Sequence, residues 1–206
     1  MYRINETIEN TIVINKSEFI THLYKVETID EVNEILALNN KKYYDATHNC
    51  YAYILGDNQD IQKASDDGEP QKTAGFPMLE VLKRANLTNI LAITTRYFGG
   101  ILLGAGGLIR AYAGSVSEAL KKVTLYEVKA LYKYSLNISY QAFNSITKLI
   151  PYINIIESSF TDDVVILFLI PEDKKDNLVE DLYKNKINPE SLIDLGLENT
   201  LIKVNN

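Results

Sequence analysis

Short alternating and apolar stretches run through the first half of the chain, with three helical stripes set among them. Alternation marks strands near Thr11–Asn15 and Phe19–Val26. Val32, Ile35 and Leu36 then fall on one face of a helix predicted over Ile29–Leu38. His48–Leu55 reads as an aromatic-rich strand running into Gly56-Asp57-Asn58, a turn cluster. Residues 57–76 are polar and hold Asp66-Asp67-Gly68-Glu69-Pro70 without any period, the profile of a functional or mobile loop. Met78–Arg84 follows as a short helix. Ile90–Ile93 is continuously apolar, as expected of a central strand covered on both faces. Beyond a glycine-rich stretch, Leu108, Tyr112, Val116, Leu120 and Val123 form the stripe of an amphipathic helix.

The second half has a tighter rhythm. Tyr126–Leu131 is the predicted join, which separates a domain of residues 1–129 from one of residues 130–206. Tyr132–Tyr140 alternates as a strand, and Asn144–Ile150 is helical until Pro151 stops it. Ile153–Phe160 and Val164–Ile170 pair around Thr161-Asp162-Asp163. Pro171-Glu172-Asp173 is expected to open a helix reaching Tyr183, and Leu192–Val204 supplies a last strand. The order β-α-β-β-α-β is that of a ferredoxin-like domain, so the class is α+β.

Composition narrows the function classes. Hydrophobic residues make up 46% and charged residues 23% of 206, which excludes disorder and fibrous repeats. The longest apolar run, near Val164–Ile170, is strand-sized, so no membrane partner is expected. The first six residues, Met1-Tyr2-Arg3-Ile4-Asn5-Glu6, carry neither a signal core nor an arginine-rich transit pattern, and the expected location is cytoplasmic. Cys50 is the single cysteine, so no internal disulfide partner exists for it. Net charge is −6, with 14 basic against 16 acidic residues up to Lys129 and 7 against 11 beyond it. A bulk basic footprint for nucleic acid is missing, and any phosphate binding rests on a local patch.

Three segments carry candidate chemistry. Arg96 through Tyr112 places five glycines (Gly99, Gly100, Gly104, Gly106, Gly107) between a buried strand and a helix start. Such a segment admits positive φ and brings amide N–H groups toward a phosphate-like anion, with Arg96 and Arg110 as flanking donors. It is neither a Walker loop nor the dinucleotide fingerprint, and tight packing is the competing explanation. Asp66, Asp67 and Glu69 are hard oxygen donors that suit a divalent cation, a pairing arginine or a solvated turn equally well. His48 and Cys50 share a strand face with Ala52 and Ile54, company that favours a core cysteine over a nucleophile. Tyr97 and Phe98, beside Arg96, could stack on bases or anchor a protein partner.

Four segments together resemble the YigZ–IMPACT family: Lys16-Ser17-Glu18-Phe19-Ile20, Ala46 through Tyr53, Ser65 through Gly75, and Arg96 through Tyr112. Lys72 stands where the family usually has glycine before Thr73, and Leu102 where lysine often sits. The resemblance implies, for the first domain, the βαβ fold of RNase PH and the GHMP kinases. For the second it implies a ferredoxin-like domain similar to domain V of elongation factor G. It further implies a role linked to translation, since eukaryotic relatives bind a ribosome-associated activator of the starvation kinase.

The preferred reading is a non-enzymatic, translation-linked regulator that engages RNA or a ribosome-associated protein, with no cofactor, metal or catalytic residue assigned. Its expected surface comprises His48, Asp66, Asp67, Glu69, Lys72, Thr73, Arg96, Tyr97, Phe98, Gly99, Gly100, Gly104, Gly106, Gly107 and Arg110. A phosphate-handling hydrolase or transferase using His48, the carboxylates and the glycine loop is one alternative. A pure protein-binding module is the other.

Overall fold

The computed structural model describes residues 1–204 as a mixed α/β chain of two compact units. The first covers Met1–Glu127 and the described residues from Ile202 to Val204, and the second covers Val128–Leu201.

In the first unit the elements are β1 (Tyr2–Arg3), β2 (Ile8–Ile14), β3 (Ser17–Lys25), α1 (Ile29–Lys42), β4 (His48–Leu55), β5 (Ile61–Ser65), α2 (Gly75–Arg84), β6 (Ile90–Tyr97) and α3 (Gly104–Leu120). The sheet order is β2-β3-β6-β4-β5. Both β3 and β4 run antiparallel to β6, so they are parallel to each other with β6 between them. Alternate residues of β6 serve opposite faces. Leu91 and Ile93 pack with Val32 of α1, while Ile90 and Ala92 pack with Met78 and Leu82 of α2 and Tyr112 and Val116 of α3. Every residue from Ile90 to Arg96 is buried, which makes β6 the central strand.

Local chemistry explains the helix ends. Thr28 caps α1 by accepting from the Glu31 amide at 3.2 Å, and Lys41 and Lys42 complement its C-terminus. The sequence missed β5, which lies inside the supposedly irregular stretch 57–76. Ile61, Gln62 and Lys63 are all exposed, so this edge strand is held by pairing to β4 and shows no hydrophobic alternation. α2 starts at Gly75, earlier than expected. Pro77, in its first turn, lacks only an N–H that would have had no helical partner.

Beneath α1 lies a buried histidine. His22 Nε2 donates to Glu9 Oε2 at 2.8 Å, the ring stacks on Tyr24, and Nδ1 has no hydrogen-bond partner. Burial pushes its pKa below 6.5, opposed by Glu9 and assisted by Lys42, with Tyr43 also packed on the ring. A lowered folded pKa means the unfolded chain binds more protons, so this contribution is complete above about pH 6.5 and is lost as pH falls below it. Denaturant titrations from pH 7.5 to 5 should show wild-type stability declining more steeply than that of His22→Gln; parallel profiles would remove the linkage.

The second unit contains most of β7 (Tyr126–Ile138), then α4 (Tyr140–Phe143), α5 (Ile146–Leu149), β8 (Asn154–Phe160), β9 (Val164–Pro171), α6 (Leu178–Lys184) and β10 (Ile193–Lys203). Its strands are ordered β10-β7-β9-β8. Leu136, Ile138, Ile166, Phe168 and Ile170 meet Ile146, Leu178 and Leu182 in one core. The predicted join at Tyr126–Leu131 falls within β7, where the two units divide after Glu127. One expectation is corrected. Pro171 ends β9, and the expected helix is split into a 3₁₀ turn, Glu172–Lys174, and α6. Pairing of Pro171 with Leu131 keeps it extended. Among the described residues, no helix is long and apolar enough to cross a membrane.

Candidate functional site

The acidic loop is built by its own carboxylates. Asp66 Oδ1 accepts from the amides of Ala74 (3.0 Å) and Gly75 (2.9 Å), and Oδ2 accepts from the Lys72 amide at 2.7 Å. Ala74, at the N-cap of α2, has no side-chain acceptor of its own, so Asp66 caps the helix from a distance. Asp67 Oδ2 accepts from the Asn49 amide at 2.6 Å, and Thr73 Oγ1 donates to the Pro70 carbonyl at 2.6 Å. Asp66, Asp67 and Thr73, expected in the binding surface, are thus engaged in holding the local backbone, and none of them lines the cavity described below. Asp66 serves amides of the loop and of the α2 start, Asp67 serves the Asn49 amide of β4, and Thr73 is buried.

Lys72 adopts φ +62°, the left-handed conformation that glycine takes readily. The loop thus keeps a glycine-like path, with strain carried by Lys72. Lys72→Gly should raise the unfolding free energy by roughly 0.5–1 kcal/mol, read from urea midpoints. A loss of stability would show that the lysine stem contributes more than the strain costs.

Glu69 turns inward. Its Oε1 accepts from Arg96 Nη1 at 2.6 Å and from the Tyr112 hydroxyl at 2.8 Å, and all three residues are buried. The Arg96 guanidinium lies 5.5 Å from the ring centroids of both Phe19 and Phe98. Arg96 is thus an internal ion-pair partner, not the free phosphate donor expected from the sequence. Cys50 donates its thiol to the Asp66 carbonyl at 2.9 Å; burial pushes that thiol well up, and pushes up the Tyr112 hydroxyl beside it. Cys50 is held protonated in the core and is no nucleophile.

His48 stands at the edge of this network. Its Nδ1 lies 2.7 Å from the Asp67 carbonyl, which can only accept, so Nδ1 carries the proton. Nε2 lies 3.8 Å from Glu69 Oε2.

These groups border a cavity of about 350 Å³. Thr47, His48, Glu69 and Arg96 supply its polar side chains, and Pro70, Phe98, Leu102 and the start of α3 supply apolar wall. Leu103, at the N-cap of α3, provides no side-chain acceptor, and no acid occupies the first turn, so the positive end of a 17-residue helix opens here.

The cavity gathers His48, Glu69, Arg96, Phe98 and Gly104 from the expected set. The others lie elsewhere. Tyr97 donates its hydroxyl to Asp45 at 2.8 Å, a bond that pushes its pKa up to about 12. Gly99 is pressed onto the Lys16 backbone, and Gly100 is exposed. Positive φ falls at Gly100 (+83°) and Gly104 (+67°), not at Gly106 or Gly107, which belong to the first turn of α3. Arg110 is exposed, with its Nη1 near Gly106, and does not line the cavity. Sequence reasoning missed Ser17, Pro70 and Tyr112. All three lay in segments already singled out, but Tyr112 was read there only as part of a helical stripe. Among the described residues no group of three or more His, Cys, Asp or Glu is arranged to hold a metal ion.

Comparisons with known proteins cover the same part of the chain. The Impact N-terminal domain matches residues 15–120, which include every residue of the cavity. The chain is 54% identical over 130 residues to IMPACT family member YvyE of Bacillus subtilis, across 63% of this chain and 60% of that protein. It is 36% identical over 165 residues to IMPACT family member YigZ of Escherichia coli, across 78% of this chain and 81% of that one. A crystal structure of a hypothetical protein superposes with TM-score 0.61 at 32% identity, covering 96% of this chain and 97% of its own. With three of its four motif segments lining one cavity inside the matched region, the chain belongs to the IMPACT family as a YigZ-like member.

Proposed function

We propose that this protein is a translation-linked regulatory binding protein whose first unit engages a ribosome-associated protein around the His48 cavity. One observation carries the choice of a protein over RNA: the cation nearest the cavity, Arg96, is neutralised internally by Glu69, while the accessible rim is apolar. Phe98 and Ile101 are each 44% exposed and Leu102 is 85% exposed. Apolar side chains ringed by polar surface suit a protein anchor better than a phosphate backbone. The translation link comes from the family resemblance. The strand order of the second unit supports a ferredoxin-like domain similar to domain V of elongation factor G. The paired β-α-β crossovers of the first support kinship with the RNase PH and GHMP-kinase fold.

Co-sedimentation with ribosomes at low and high salt tests this reading. Association should survive high salt and be lost in Leu102→Asp. Binding that collapses with salt and requires Arg110 would indicate RNA, and no association at any salt would end the reading.

A phosphate-handling hydrolase or transferase is the second reading. It is favoured by His48, whose ring is oriented by the Nδ1 bond to the Asp67 carbonyl and borders a cavity that also holds the uncapped start of α3. Nucleotide turnover abolished by His48→Ala would establish it; turnover retained in His48→Ala would exclude this site.

A further inference from the structure

We propose that the groove between α2 and α3 docks an acidic, amphipathic helical segment of a partner protein. The groove, about 390 Å³, shares no lining residue with the His48 cavity, so the proposal goes beyond the function given above. Its floor is apolar, with Pro77 and Val81 four residues apart on α2 and Ile109 and Ala113 four apart on α3. Two such ridges side by side leave a trough that can take the ridge of a third helix. Phe76 stands over it at 48% exposure and Ile109 at 42%, so water now covers surface that a partner would dry.

Charge selects the partner. Lys72 lies just before α2 and Arg84 at its end, roughly 15 Å along a helix of ten residues. Among the described residues neither side chain has a hydrogen-bond or ion-pair partner. The acid of the groove, Glu80, is already paired with Lys83 at 3.3 Å. In a chain of net charge −6, two unpaired cations bracketing an apolar trough complement apolar side chains flanked by carboxylates.

A labelled helical peptide with leucines at i, i+3, i+4 and i+7 and glutamates elsewhere is the probe, and its lysine counterpart is the control. Anisotropy titrations of the full chain should show the glutamate peptide binding at least about tenfold more tightly than the control. Lys72→Glu with Arg84→Glu should reverse that preference. Ile109→Asp should weaken binding of the glutamate peptide at an unchanged melting temperature. Leu102→Asp should leave it intact, which separates this proposal from the fate of the His48 cavity. Equal affinity for the two peptides would overturn it, as would indifference to the charge reversal. Tighter binding of single-stranded RNA or anionic vesicles to the same residues, or a dimer that buries the groove, would overturn it too.

Discussion

Glu69→Ala should lower the unfolding free energy by about 3–5 kcal/mol, the largest loss expected from a single charged side chain here. Arg96 is buried between Phe19 and Phe98, and its Nε already lacks a hydrogen-bond partner. Without Glu69 the guanidinium keeps only a 3.4 Å contact from Nη2 to Ser17 Oγ, and the Tyr112 hydroxyl loses its acceptor as well. Uncompensated burial of the charge, more than loss of one contact, accounts for that magnitude. Arg96→Met should be similarly harmful alone, because it strands the carboxylate. Combined with Glu69→Leu, it should recover much of the loss, because removing both charges removes the desolvation penalty. Urea denaturation of the singles and the double decides this. Additive losses would mean that the two residues are energetically independent.

Gly99→Ala is expected to cost about 3 kcal/mol or more, a case of overpacking against an unyielding neighbour. A Cβ at Gly99 would fall onto the carbonyl carbon and oxygen of Lys16. Those atoms cannot move aside: Asn15 and Lys16 form the two-residue turn between β2 and β3, at φ +46° and +64°, with Ile14 and Ser17 paired on either side. Positive φ at both central residues makes this the tight hairpin turn whose twist matches the flanking strands. The Gly99 amide also donates to Ser17 Oγ at 3.2 Å, tying the glycine segment to the turn. Gly100→Ala is the control. Nothing lies within 4 Å of its built Cβ, so only the left-handed φ of +83° is strained, at a cost of about 1 kcal/mol. Thermal melts of the two variants should separate clearly; equal shifts would show that close approach is not what demands glycine at position 99.

Much of the fold was legible because burial imposes a period. The continuous apolar run at Ile90–Ile93 could only be a strand covered on both faces, and Leu108, Tyr112 and Val116 could only be a buried helical stripe. The missed strand Ile61–Ser65 has no such constraint, since an edge strand is fixed by backbone pairing that leaves little trace in side-chain pattern. Pro171 misled for a related reason. Its side chain suits a helix start, but its pairing with Leu131 is long-range and invisible to local propensity.

The candidate site divides along the same line. By itself the sequence determined which segments matter, because Asp66–Glu69, His48 and the glycine stretch combine residue types that a pure core would not use. It also determined the family through those four segments, and the absence of a bulk basic face through net charge. Tertiary structure alone decided what each charged side chain does. Asp66, Asp67 and Glu69 are near neighbours in sequence, yet two cap backbone amides and one neutralises Arg96 inside the unit. That division depends on whether each side chain meets the amides of its own loop, as Asp66 does, or a donor from a distant strand or helix, as Asp67 and Glu69 do, and on how little water remains there. In water a carboxylate is satisfied almost anywhere, whereas in a buried loop it must face a specific donor, and only the assembled fold supplies that donor.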